Sequence, residues 1–147
     1  MTRINSAIPV ENLTDEHLLA EHREIKRLPH CFIEAIKSGS IYRIPDKFTL
    51  GPGHVTFFLN KMAFCLDRYN KIYGECIARG FDVKNFAENW DGFENGPDYF
   101  QWYEPTAEER QLLIERISTR IRESNKPYWH YCGDMISQEE AINLLTR

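Results

Sequence analysis

The stretch GPGHVTFFLNKMAFCLDRYNKIYGECIARGF, residues 51–81, carries the clearest periodicity in the 147-residue chain. Val55, Leu59, Met62, Leu66, Tyr69, Tyr73 and Cys76 recur in steps of four and three. A helix with about 3.6 residues per turn puts them on one face, which predicts a central core helix of about six turns. Gly80 in the RGF that follows supplies the stop, because glycine takes the left-handed conformation that closes a helix.

Upstream of this stretch, Thr14 followed by Asp15, Glu16 and His17 has the form of an N-cap with acidic residues at the positive end of a helix dipole. Leu18, Ile25, Phe32 and Ile36 continue one apolar stripe, so a helix over 14–37 is expected, bent or interrupted at Pro29 and ended by Ser38-Gly39-Ser40. Downstream, residues 82–105 are acidic and aromatic, broken by Gly92, Gly96, Pro97 and Pro105, and read as a long ordered loop. A third helix starts after Pro105-Thr106, with Leu113, Ile117 and Ile121 on its inner side. No segment alternates convincingly as a strand. The expected fold is all-α: a compact single domain over residues 1–147, with three main helices joined by long loops. Residues from about 134 to 147, with Ile142, Leu144 and Leu145, form an extra C-terminal tail.

Aromatic residues make up 13% of the chain, which argues against disorder. No apolar run approaches the roughly 18 residues of a membrane helix, and the first twenty residues are too charged for a signal peptide, so a cytoplasmic protein is expected. Cys31, Cys65, Cys76 and Cys132 show neither CxxC spacing nor a histidine at zinc-finger distance, which points to reduced thiols and to no metal site. The formal net charge of -4 speaks against a polyanionic partner, but it is unevenly spread. Residues 82–109 hold one basic residue against eight acidic ones, whereas 110–133 hold five basic against two acidic. A local basic face is therefore compatible with the overall acidity.

On the first helix Arg23, Glu24 and Arg27 lie about 140–240° round from Leu18, away from the main core. Taken alone, such a trio is either a solvated face whose charges support one another or a carboxylate set between guanidinium groups for chemistry.

MTRIN, HLLAEHREIKR, GPGHVTFF, ECIARGF and KPYWHYCG, in this order along nearly the whole chain, resemble the phage endonuclease V family of pyrimidine-dimer DNA glycosylase/AP lyases. The resemblance implies a compact helical domain whose N-terminal segment is inserted between helices. It also implies an enzyme that cleaves the N-glycosidic bond at cyclobutane pyrimidine dimers and nicks the strand by β-elimination. Thr2 matches the position whose α-amine, freed by removal of Met1, attacks the sugar C1′ and forms a Schiff base. An α-amine with a pKa of about 7.7–8 is roughly one-third unprotonated near pH 7.4, against about a thousandth of a lysine. Positive charge on Arg3, Arg23 or Arg27 would lower that pKa further. Glu24 matches the catalytic carboxylate, suited to stabilising a developing oxocarbenium ion and to moving protons during elimination. Neither metal nor cofactor is implied.

Arg3, Arg23, Arg27, Arg116, Arg120 and His17 match positions around the reaction centre or along the DNA backbone, where guanidinium groups pair with phosphates. Arg116 and Arg120 can also be read as a surface pair flanking the apolar stripe, and His17 and His54 as residues that cap or pack. Tyr128, Trp129 and Tyr131 resemble an aromatic loop that touches DNA; they either stack on bases or close the core. The expected partner is double-stranded DNA containing pyrimidine dimers or abasic sites, bound by a monomer without a membrane. A lesion binder without catalysis, or a glycosylase for another modified base, stands as the alternative.

Overall fold

After a short 3-10 turn at Val10–Asn12, residue 14 opens the first α-helix as its chemistry predicts. The computed structural model describes residues 4–147, and in it the Thr14 hydroxyl accepts the His17 amide N–H at 3.1 Å, opening α1 (Asp15–Ile25). The helix expected over 14–37 is two helices. α1 ends at Ile25, and after a turn through Lys26 and Arg27 the chain re-enters α2 (Leu28–Ser38). Pro29 thereby falls in the first turn of α2, where its missing N–H costs no helical hydrogen bond. Gly39, at φ 81°, closes α2 in the left-handed conformation.

The long helix expected from Val55 to Cys76 is likewise divided, into α3 (His54–Phe57) and α4 (Met62–Ala78). Between them the chain runs through tight turns, with the Leu59 amide on the Thr56 carbonyl and the Lys61 amide on the Phe58 carbonyl. At the start of α4 the Met62 amide donates to the Tyr99 carbonyl at 2.9 Å, and Lys61 pairs with Phe100. The 82–105 loop thus returns to satisfy amides that a continuous helix would have used itself. The apolar stripe survives the break: Leu59, Met62, Tyr69 and Cys76 are all buried.

The acidic loop contains two short 3-10 turns, Ala87–Trp90 and Phe93–Asn95. α5 (Ala107–Glu123) follows, capped by the Thr106 hydroxyl on the Glu109 amide and buried along Leu113, Ile117 and Ile121.

The all-α expectation is corrected at residues 128–137. β1 (Tyr128–Tyr131) and β2 (Asp134–Ser137) form an antiparallel hairpin in which Trp129 faces Ile136 and Tyr131 faces Asp134. Its two-residue turn, Cys132-Gly133, has both φ angles positive, 51° and 85°, which suits the twist of a tight hairpin. The Asp15 carboxylate at the start of α1 accepts the amides of both turn residues, at 2.9 and 2.8 Å. Strands this short offer too little alternation to be read, and the turn lacks the usual Asn-Gly or Asp-Gly signal. With six α-helices among the described residues, three main helices undercounts the fold.

The tail is ordered. α6 (Gln138–Leu144) opens on a capping box between Ser137 and Glu140 and buries Ala141, Leu144 and Leu145. Its end is held by Asn12, whose side-chain amide donates to the Arg147 carbonyl at 3.2 Å. No helix among the described residues is long and apolar enough to cross a membrane. All four cysteines are unpaired thiols.

Candidate active site and DNA interface

His17, Glu21 and Glu24 follow one another at helical spacing along α1, and α5 presents Leu113, Arg116, Ile117 and Arg120 opposite them. Between the two helices lies a cleft of about 370 Å³, bounded at one side by Trp129 of the hairpin and reached by Asn5 of the N-terminal segment. The size is that of a small-molecule or single-nucleotide recess. Its walls combine apolar side chains with two carboxylates and two guanidinium groups.

The two carboxylates are not equivalent. Glu21 has no exposed side-chain surface and is saturated: Arg68 binds it through Nε at 2.8 Å and Nη2 at 3.1 Å, and Asn5 Nδ2 donates to it at 2.9 Å. Arg68 also donates through Nη1 to the Ile8 carbonyl at 2.6 Å. Glu24 has one partner among the described residues, Arg27 Nη1 at 3.2 Å, in a pair whose side chains are 29% and 59% exposed respectively. A pair so open to water holds neither group firmly, so Glu24 retains lone pairs for another molecule in the cleft. Arg23 is exposed beside it.

His17 stacks on Trp129 with ring centroids 5.0 Å apart and planes within 11°. Its Nδ1 lies 2.7 Å from the Thr14 hydroxyl. Burial lowers its pKa to about 4, with the Glu16 carboxylate opposing and Lys126 reinforcing the shift. At neutral pH His17 is therefore uncharged, and it offers a phosphate a hydrogen bond but no positive charge. The unfolded chain takes up this proton near pH 6.5, whereas the folded protein does so only near pH 4. Stability is thus fully present above pH 6.5 and declines as pH falls toward 4, by about 3 kcal/mol for a shift of this size. Urea midpoints across this range are expected to fall steeply in the wild type and less steeply in His17→Phe, which keeps the stack without the titration.

The hairpin is fixed to α1 beside the cleft. Glu16 accepts from the His130 amide at 3.0 Å, from His130 Nδ1 at 2.9 Å and from Lys126 Nζ at 3.3 Å. Burial of Glu16 opposes its ionisation, but these hydrogen bonds outweigh it and keep the carboxyl below its ordinary value. Lys126 also lies 4.4 Å over the Trp129 ring. The three aromatic residues of β1 are dispersed by this arrangement. Trp129 is buried at the cleft, Tyr128 is exposed, and Tyr131 points elsewhere, its hydroxyl on the Glu11 carbonyl at 2.7 Å and its ring under the Arg79 guanidinium.

Thr2 and Arg3 lie outside the described residues. The chain immediately following them does belong to the site: Ile4 is fully buried, and Asn5 lines the cleft. Asn5, Glu21 and Arg68 are the contributors that motif reading passed over as site residues. The spacing of His17, Glu21 and Glu24 on one helical face was the available signal for Glu21. Arg68 had none, because its role depends on how α4 crosses α1. Among the described residues no group of three or more His, Cys, Asp or Glu is arranged to hold a metal ion.

The fold and site together define a mostly helical protein with an open carboxylate set among arginines and an aromatic wall. The family model for pyrimidine dimer DNA glycosylases matches residues 1–89, and the chain belongs to that family. The matched region contains Thr2, Arg3, His17, Arg23, Glu24 and Arg27. Arg116, Arg120 and Trp129 lie beyond it, and folding brings them to the same cleft.

Proposed function

We propose that the protein excises cyclobutane pyrimidine dimers through the α-amine of Thr2 and then breaks the strand at the resulting site. The amine nitrogen bonds to C1′, the C1′–N bond to the pyrimidine breaks, and the departing base takes up a proton. The amine then loses one proton, and its lone pair expels the ring oxygen O4′, which takes up a proton as the C1′–O4′ bond breaks, leaving an open-chain iminium at C1′. Removal of a C2′ proton expels the 3′ phosphate by cleavage of the C3′–O bond, and water hydrolyses the remaining imine to an unsaturated aldehyde and free amine. Glu24 opposes the charge of the oxocarbenium-like transition state and carries the C2′ proton. Arg3, Arg23, Arg27, Arg116 and Arg120 hold phosphates, with Trp129 at the cleft and the exposed Tyr128 as the aromatic contacts to DNA. One chain carries every group the reaction needs, so the protein acts as a monomer, on dimers and on abasic sites.

The observation that carries this reading is the contrast between Glu21 and Glu24: of two carboxylates at one cleft, the one at the matching position is the one left open. An end-labelled duplex bearing a single dimer tests it. Strand breaks ending in the unsaturated aldehyde are expected without alkali; breaks appearing only after hot alkali would mean a glycosylase that does not nick. Arg120, exposed on α5, is expected to act on phosphate. Arg120→Ala should weaken binding to damaged and undamaged duplex alike and lower the slope of log affinity against log salt by about 0.9, measured by fluorescence anisotropy.

A further inference from the structure

The amide of Ile4 donates to His54 Nε2 at 2.9 Å. The other ring nitrogen, Nδ1, lies 2.8 Å from the Thr49 carbonyl oxygen. A carbonyl only accepts, so Nδ1 carries the proton and Nε2 presents a lone pair. The ring is held in this orientation by its surroundings: it is 2% exposed, with Phe48 and Phe58 edge-on at 5.6 and 5.4 Å. Its backbone is set as well, since Gly53 precedes it at φ 93° with Pro45 Cγ only 3.1 Å from where a Cβ would stand.

The bond from Ile4 goes to main chain and therefore fixes where the backbone enters the core, whatever side chain residue 4 carries. Two residues of extended chain reach at most about 7 Å, so a fixed Ile4 amide confines the α-amine of Thr2 to that distance. Asn5 on Glu21 and the Ile8 carbonyl on Arg68 secure the following residues, but both ties lie further along the chain from residue 2.

We propose that His54 is a positioning residue for the nucleophile: its neutral Nε2 pins the Ile4 amide and so sets the reach of the Thr2 amine. This rests on that amine being the nucleophile. Holding a reacting group near its target converts freedom of approach into rate without strengthening binding. The expected effect is on the chemical step.

Two substitutions separate positioning from support of the 49–54 turn. His54→Gln extends an amide oxygen to the place of Nε2 and keeps an acceptor for Ile4. His54→Asn reaches only as far as Nδ1, keeping a donor for Thr49 and losing the acceptor. Single-turnover borohydride trapping on an abasic duplex is expected to slow at least tenfold in His54→Asn and to recover to within threefold of wild type in His54→Gln. Duplex affinity should stay within twofold for both. Equal trapping rates in the two variants, or a loss that follows affinity or thermal midpoint, would overturn the proposal. Wild-type protein that traps no DNA would instead remove the nucleophile, and the positioning role with it. Nitrogen NMR of wild-type His54 supplies a readout that needs no variant: the Nδ1–H tautomer is expected, and the Nε2–H tautomer would refute the assignment.

Discussion

Glu24→Gln is expected to slow strand scission about 100- to 10,000-fold, the range lost when a general acid–base group is removed, while leaving duplex binding intact or slightly tighter. Glutamine matches the shape of glutamate but carries no charge to oppose an oxocarbenium ion and accepts no proton. The cost to folding should be small. Glu24 pairs only with the exposed Arg27 among the described residues, and such a pair contributes at most about 1 kcal/mol. Single-turnover scission measured beside anisotropy binding and thermal midpoint separates these effects. Unimpaired scission would remove Glu24 from the mechanism.

Arg68→Met should produce the largest loss of stability. It leaves the Glu21 carboxylate buried beneath α4 with Asn5 as its remaining hydrogen-bond donor, and it frees the Ile8 carbonyl. Breaking a buried ion pair from one side costs about 3–5 kcal/mol, equivalent to roughly 10–15 °C of midpoint in a domain of this size. Adding Glu21→Met removes the stranded charge and should restore much of that loss. Strand scission should remain impaired in the double variant, because Asn5 and Ile8 keep neither tie. A double variant no more stable than Arg68→Met would contradict this account of the pair.

Local rules made much of the helical layout legible. Thr14 caps as expected, α5 starts after Thr106 as expected, and Leu113, Ile117 and Ile121 face inward. Pro29 marked an interruption, and only the chain geometry could say that it becomes the start of a second helix. The break between α3 and α4 was hidden because its cause is distant: the 99–101 segment supplies carbonyls to the first amides of α4. Apolar periodicity persists across such a break, since burial depends on side-chain direction more than on unbroken helix. The 128–137 hairpin was missed for a related reason, its position being secured by Asp15 and Glu16 of α1 rather than by strand propensity.

At the site, periodicity put Glu24 on a charged face but could not say which of two acidic residues is neutralised. Glu21 is three positions away and looks equally available in the chain. Arg68, 47 positions on, makes the distinction. The same limit applies to the aromatic residues of β1, since alternation in the strand sends Trp129 toward α1 and the cleft while Tyr128 and His130 lie edge to face on its other side.

The central claim is that the chain's own α-amine is the nucleophile. Protein freed of Met1 is incubated with a dimer-containing duplex and borohydride, and the adduct is digested and mapped by mass spectrometry. A covalent link at the Thr2 nitrogen is expected, lost when that amine is acetylated beforehand. A link at a lysine, or adduct formation that survives acetylation of the terminus, would contradict that claim.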